Sequence, residues 1–106
     1  MQIPRLSHIQ FLTLIFLSKG MLTGRELREA LAGSGVRRSG PGFYQIMARL
    51  EDAGFVAGRY QQEIVDGQII RERCYRATAI GRRACAESRE FYLKWIGRLD
   101  RGDAHA

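Results

Sequence analysis

Apolar residues along the chain fall into three helical patterns, then two extended runs split by a tight turn, then a fourth helical pattern. The first pattern opens on Ser7-His8-Ile9-Gln10, an S-x-x-Q capping box in which the hydroxyl and the amide satisfy orphan donors at a helix start. It predicts a helix from His8 to Lys19, closed by Gly20. Ile9, Phe11, Leu12, Leu14, Ile15, Phe16 and Leu17 lie almost all round it, which predicts burial on most sides. Thr23-Gly24-Arg25-Glu26 is a second capping box, followed by Leu27, Ala30 and Leu31 at i, i+3 and i+4 and ended by Gly33-Ser34-Gly35. Ser39 or Gly40 caps a third helix, and Pro41 fits its first turn because that position needs no backbone N–H. This helix puts Phe43, Ile46, Met47, Leu50 and Ala53 on one face and stops at Gly54.

Phe55 to Val65 and Gln68 to Ala77 read as strands joined by Asp66-Gly67, a two-residue hairpin signal. Counting outward from the turn pairs Ile64 with Ile69, Gln62 with Arg71, Tyr60 with Arg73 and Arg59 with Cys74. Both faces come out mixed, so the distal hairpin is expected to stand off the core. Thr78 caps a last helix running to about Arg98, with Ile80, Ala84, Phe91, Trp95 and Leu99 near one face and Tyr92 and Ile96 beside it. The expected fold class is mainly α with a small β-hairpin: a winged helix-turn-helix plus a C-terminal helix. The expected division is a winged-helix domain over residues 1–77, a dimerisation helix over 78–100 and a frayed tail over 101–106.

Length and composition support one small globular unit, with 106 residues, 45% apolar and 26% charged. Charge changes the picture more. The net charge is +6, and of 17 basic residues only Lys19 and Lys94 are not Arg. A planar guanidinium fork matches phosphate oxygens, so an Arg-weighted excess favours nucleic acid over simple solubility. A biased genome would produce the same ratio.

The third helix makes the charge pattern local. Arg37 and Arg38 precede it, Tyr44, Gln45, Ala48 and Arg49 occupy its outer side, and acid appears only at Glu51 and Asp52. Helix N-termini favour negative charge, and an external anion would supply what the first turn lacks. Arg71, Arg73 and Arg76 sit on the returning strand with Glu72 as the neighbouring acid.

Other chemistries find no support in the residues. Cys74, Cys85, His8 and His105 have no metal-ligand spacing, so no metal and no cofactor are expected. The cysteines read as small buried fillers. No paired carboxylates with a base, no Ser/His/Asp or Cys/His set and no phosphate loop appear, which argues against an enzyme. The run IQFLTLIFL is too short to span a bilayer, and with no cleavable signal before it the expectation is a cytoplasmic protein without membrane contact.

The sequence resembles the PadR-like transcriptional regulators over roughly residues 9 to 95. FLTLIFLSKGMLTGREL is similar to the family's first helix and the start of its second, at Gly24 and Leu27. GFYQIMARLEDAGFV is similar to its third helix, at Tyr44, Leu50, Glu51 and Gly54. CYRATAIGRR is similar to its strand-to-helix junction, at Tyr75, Thr78 and Gly81. Thr23, Arg25 and Ala77 depart from the usual residues, and GQIIRERC is more apolar than the usual Gly-Arg-rich wing.

The resemblance implies a dimeric, DNA-binding repressor of the short type with one C-terminal helix, and a pseudo-palindromic double-stranded operator. Tyr44 would reach a phosphate or base edge and Ser39 a phosphate, Gln45 would read adenine, and Arg37, Arg38 and Arg49 would position the backbone. Arg71 and Arg73 would reach phosphate or minor groove from the wing, or else stack on Tyr60 or keep the hairpin soluble. Phe91, Tyr92, Trp95 and Leu99 would form the dimer interface, with packing on the chain's own first helix as the alternative. Trp95 is either structural or the stacking surface for a small flat aromatic effector between subunits. The competing function is a winged-helix module that binds protein and not DNA through Ile64, Val65, Ile69 and Ile70 at the hairpin tip.

Overall fold

The computed structural model describes residues 3–102. Its elements follow the order α1 (His8–Leu17), β1 (Leu22–Thr23), α2 (Gly24–Gly33), α3 (Gly40–Asp52), β2 (Val56–Val65), β3 (Gln68–Ala77) and α4 (Ala79–Asp100). Both capping boxes form as the sequence predicts, with Ser7 and Gln10 exchanging bonds of 3.0 and 3.2 Å and Thr23 and Glu26 bonds of 3.0 and 3.1 Å. Thr23's bonds to the Glu26 carboxyl, the backbone one first, hold it below the usual carboxylate range.

The first helix stops earlier than the expected Lys19. The Ser18 amide and hydroxyl both turn back onto the Ile15 carbonyl, at 3.1 and 2.6 Å, which tightens the last turn and leaves Lys19 outside the helix. α1 is covered on most sides, though only in part. Thr13, Leu14 and Leu17 are buried, Phe11, Leu12 and Phe16 are half-buried and Ile15 is exposed. A single copy of the chain provides too few facing elements to cover an all-round apolar helix.

α3 ends in a Schellman motif. The Phe55 amide bonds the Leu50 carbonyl and the Gly54 amide bonds that of Glu51, both at 2.9 Å, with Gly54 at φ 80 where other residues are strained. The turn swings Ala53 out, so this member of the expected apolar face is exposed. Phe43, Met47 and Leu50 remain to fill the core, each no more than 1% exposed, against Leu14, Leu17, Leu27, Leu31, Tyr75 and Ala77.

The hairpin has the register counted from the sequence: Ile64 faces Ile69, Gln62 faces Arg71, Tyr60 faces Arg73 and Arg59 faces Cys74. Its turn takes φ 52 at Asp66 and 78 at Gly67, the doubly left-handed form that matches strand twist. The sequence reading missed β1, which adds to β3 through Leu22 opposite Tyr75 and Thr23 opposite Cys74 and makes a three-stranded antiparallel sheet, β1-β3-β2. Two residues are too few for any periodic signal.

Beyond Arg59 the β2 strand is exposed throughout, and the chain spans 61 × 26 × 23 Å. Its radius of gyration is 16.5 Å, against about 13 Å for a compact chain of 100 residues. The projecting hairpin and the 22-residue α4 account for the excess. α4 is fastened at its start, where the Thr78 hydroxyl donates to the Gly54 carbonyl at 2.6 Å and its amide to that of Phe55 at 3.0 Å. The helix then runs along α1, with Phe11 stacked on Tyr92 at 5.9 Å.

Candidate nucleic-acid interface

Ser39 is the N-cap of α3, its hydroxyl accepting from the Gly42 amide at 3.1 Å. No acid lies in the first turn and Arg49 lies in the last. One turn in, the periodicity separates two neighbouring rings: Phe43 is 1% exposed and Tyr44 is 52% exposed, touching edge to face at 5.4 Å. Tyr44 therefore stands on the core rather than in it. Gln45, Ala48 and Arg49 are exposed beside it.

Ahead of α3, Arg37 and Arg38 are exposed and have no side-chain hydrogen bond, ion pair or ring contact among the described residues. The Arg38 carbonyl is tied down instead, accepting from the Arg28 guanidinium at 3.3 Å, and that guanidinium lies 5.8 Å from the Phe43 ring. The loop backbone is thus held while its two cations stay free. A cleft of about 330 Å³ lies there, with Arg25, Arg28, Arg37, Arg38 and one acid, Glu29, around Leu31 and Phe43. Arg25 of α2 pairs at 3.4 Å with Glu72 of β3, a contact exposed on its arginine side that contributes little to stability.

On the wing the cations are held differently. The sequence expectation left Arg73 between phosphate or minor groove and a stack on Tyr60; its guanidinium donates to both oxygens of Glu51, at 3.0 Å each, with both side chains about three-quarters buried. The bond to Glu51 raises its pKa and fixes it as a cation. Arg71 and Arg73 both stack on Tyr60, at 4.2 and 5.1 Å from the ring centre. A groove of about 510 Å³ separates this cluster from Tyr44 and Ala48 of α3.

Sequence reasoning missed the role of Glu51, which it noted as late acid on α3 and as a position matching the family's third helix, but without a partner. A signal was present in Gly58, since glycine inside a strand marks a close approach. A Cβ at that position would lie 2.5 Å from a Glu51 oxygen and 2.8 Å from an Arg73 nitrogen. Gly58 makes room for the bridge.

At the other end of the molecule, Tyr92, Leu93, Trp95, Ile96 and Leu99 of α4 are 37–67% exposed, and Phe91 is half-buried. Trp95 packs 6.3 Å from Phe91 and carries the Arg98 guanidinium 4.7 Å from its ring. Cys74 is buried and donates to Gln61 at 3.1 Å; burial pushes its thiol and that of the half-buried Cys85 upward, away from the reactive thiolate. The tail beyond residue 102, including His105, lies outside the described residues. Among those described, no helix is long and apolar enough to cross a membrane.

Three helices, a two-stranded wing on a three-stranded sheet and a trailing helix define a winged helix-turn-helix protein. The chain belongs to the transcriptional regulator PadR-like family, whose sequence model matches residues 13–87. A PadR family transcription regulator of Clostridium difficile superimposes with a TM-score of 0.71 at 19% identity, covering 91% of this chain and 97% of its own. A transcriptional regulator of Clostridium thermocellum gives 0.69 at 20% identity, over 89% and 88%. Bacillus subtilis PadR, solved in complex with operator DNA, gives 0.65 at 19% identity, over 88% of this chain and 59% of that one. No curated protein matches the sequence significantly.

Proposed function

We propose that the chain is a homodimeric DNA-binding repressor that sets α3 in the major groove of a pseudo-palindromic operator. The observation that carries this reading is the outer side of α3: an acid-free N-terminus with exposed Tyr44 and Gln45, Arg49 in the last turn, and an entrance with two arginines that have no side-chain partner among the described residues. Family membership and the operator-bound Bacillus subtilis neighbour support it. Tyr44 and Ser39 would bond phosphate, Gln45 would read a base edge, and Arg37, Arg38 and Arg49 would neutralise backbone. On the wing this role falls to Arg71, while Arg73 holds the hairpin to α3 through Glu51.

Residues 3–77 form the winged helix in this reading and α4 is the dimer arm. Its apolar surface, continued by Ile15 and Phe11 of α1, is larger than a small soluble domain leaves in water. The two-fold axis would place two α3 helices about one DNA turn apart. Trp95 serves as packing in this dimer. An aromatic effector between subunits would have to displace Arg98 from one face of the indole or use the other.

One observation favours the competing interaction module. Ile64 and Ile69 at the hairpin tip are 76% and 70% exposed, and the tip's charged residues, Glu63 and Asp66, are acidic. A gel shift on the gene's own upstream DNA separates the two readings. The repressor gives a retarded band that survives excess unrelated competitor; the interaction module gives none.

A further inference from the structure

The face of the sheet turned away from α3 carries a second cationic site that the DNA reading does not use. Arg73 and Tyr75 of β3 face α3, reaching Glu51 and Phe43, so strand alternation turns Arg76 to the opposite side. Arg76 pairs with Ala57 and Arg59 with Cys74, which sets the two arginines diagonally on that face. Arg82 joins them from the first turns of α4. All three border a cleft of about 330 Å³ walled by Leu17 and Met21, and Arg59 and Arg76 also border an adjoining one of about 190 Å³.

No carboxylate lines either cleft. Among the described residues the three guanidinium groups have no side-chain hydrogen bond, ion pair or ring contact, whereas Arg71 and Arg73 on the other face have both ring and acid partners between them. Diagonal neighbours on a sheet lie within reach of long side chains, so like charges there repel. Glu72, the other diagonal neighbour of Arg59, is paired with Arg25 instead, and among the described residues no carboxylate forms an ion pair with these three arginines. Met21 is 40% exposed between the two clefts and offers an apolar wall to whatever bears the balancing charge.

We propose that Arg59, Arg76 and Arg82 bind a phosphoryl group. Guanidinium forks match its oxygens two at a time, and three forks from three elements satisfy a tetrahedral group that a single planar carboxylate would not fill. The cleft volume lies at the small end of the range for small-molecule sites. The phosphoryl group comes either from a free nucleotide or from DNA backbone curving past the wing.

Calorimetric titration of the full chain with inorganic pyrophosphate, beside salt-dependent binding to duplex DNA, tests the site and separates the sources. With a free anion as the source, wild type binds pyrophosphate and Arg76→Ala or Arg82→Ala weakens it about tenfold each. The same losses appear in an Arg37→Ala, Arg38→Ala background, where the entrance to α3 no longer attracts the anion, and the DNA salt slope of the Arg76 and Arg82 variants is unchanged. With DNA as the source, the slope falls by about 0.9 for each of these arginines removed. Circular dichroism verifies that these surface variants fold, and Arg82→Lys, which keeps charge but loses the fork, retains part of the effect. If the alanine variants match wild type in both pyrophosphate affinity and salt slope, the proposal is wrong. The pyrophosphate arm needs no DNA, so it stands or falls apart from the repressor reading.

Discussion

Two arginine pairs flank α3, and the fold treats them in opposite ways. Arg37 and Arg38, at its entrance, are exposed and without side-chain partners among the described residues, on a loop whose backbone Arg28 holds. Arg71 and Arg73, on the wing, lie over Tyr60, and Arg73 is bridged to Glu51. The same residue type thus serves two ends. At the corner a guanidinium is left without a protein partner among the described residues, while at the wing base it joins two elements of the protein. Composition alone cannot tell these uses apart, because the difference lies in whether a carboxylate from another element comes within reach.

Variants at the two sites should separate DNA binding from stability. The largest expected effect belongs to the corner: Arg37→Glu with Arg38→Glu should weaken DNA binding by about a hundredfold or more, since two charge-assisted contacts become repulsive. Its urea unfolding midpoint should stay put, as for surface changes generally, within about 0.5 kcal/mol. A large loss of stability would mean that these arginines have protein partners after all.

The wing base should behave in reverse. Glu51→Ala should destabilise the fold by about 1–2 kcal/mol in urea titration, the cost of a partly buried charge left without its partner, discounted for its residual exposure. Gly58→Ala should act through the same bridge by pushing its two ends apart. Combining the two should therefore cost clearly less than their sum, and strict additivity would remove Gly58 from the account. Smallest is Arg71→Ala, for which we expect a drop of about 0.9 in the salt slope of DNA binding. Its stability change should stay within about 1 kcal/mol, the scale of an exposed cation–π contact. An unchanged slope would take the wing off the DNA.

Most of the fold could be read because it is written in local signals. Capping boxes at Ser7 and Thr23, the Asp66-Gly67 turn and the spacing of Phe43, Met47 and Leu50 each act within a few residues of themselves. Even the hairpin register follows from its turn. What could not be read depends on long-range partners: the two-residue β1 exists only because β3 lies beside it, and α1's uncovered side reflects how few elements face it. The site divides along the same line. Tyr44 beside Phe43 is a periodicity argument and was legible, whereas the Glu51–Arg73 bridge spans 22 residues of sequence and was hinted at only by Gly58.

The salt dependence of binding to the gene's upstream DNA, measured by fluorescence anisotropy on wild type and on Arg37→Ala with Arg38→Ala, shows whether the entrance to α3 meets phosphate. Two freed phosphates should lower the slope of log K against log salt by about 1.8. Equal slopes for the two proteins would contradict the claim that the entrance to α3 is built for a polyanion.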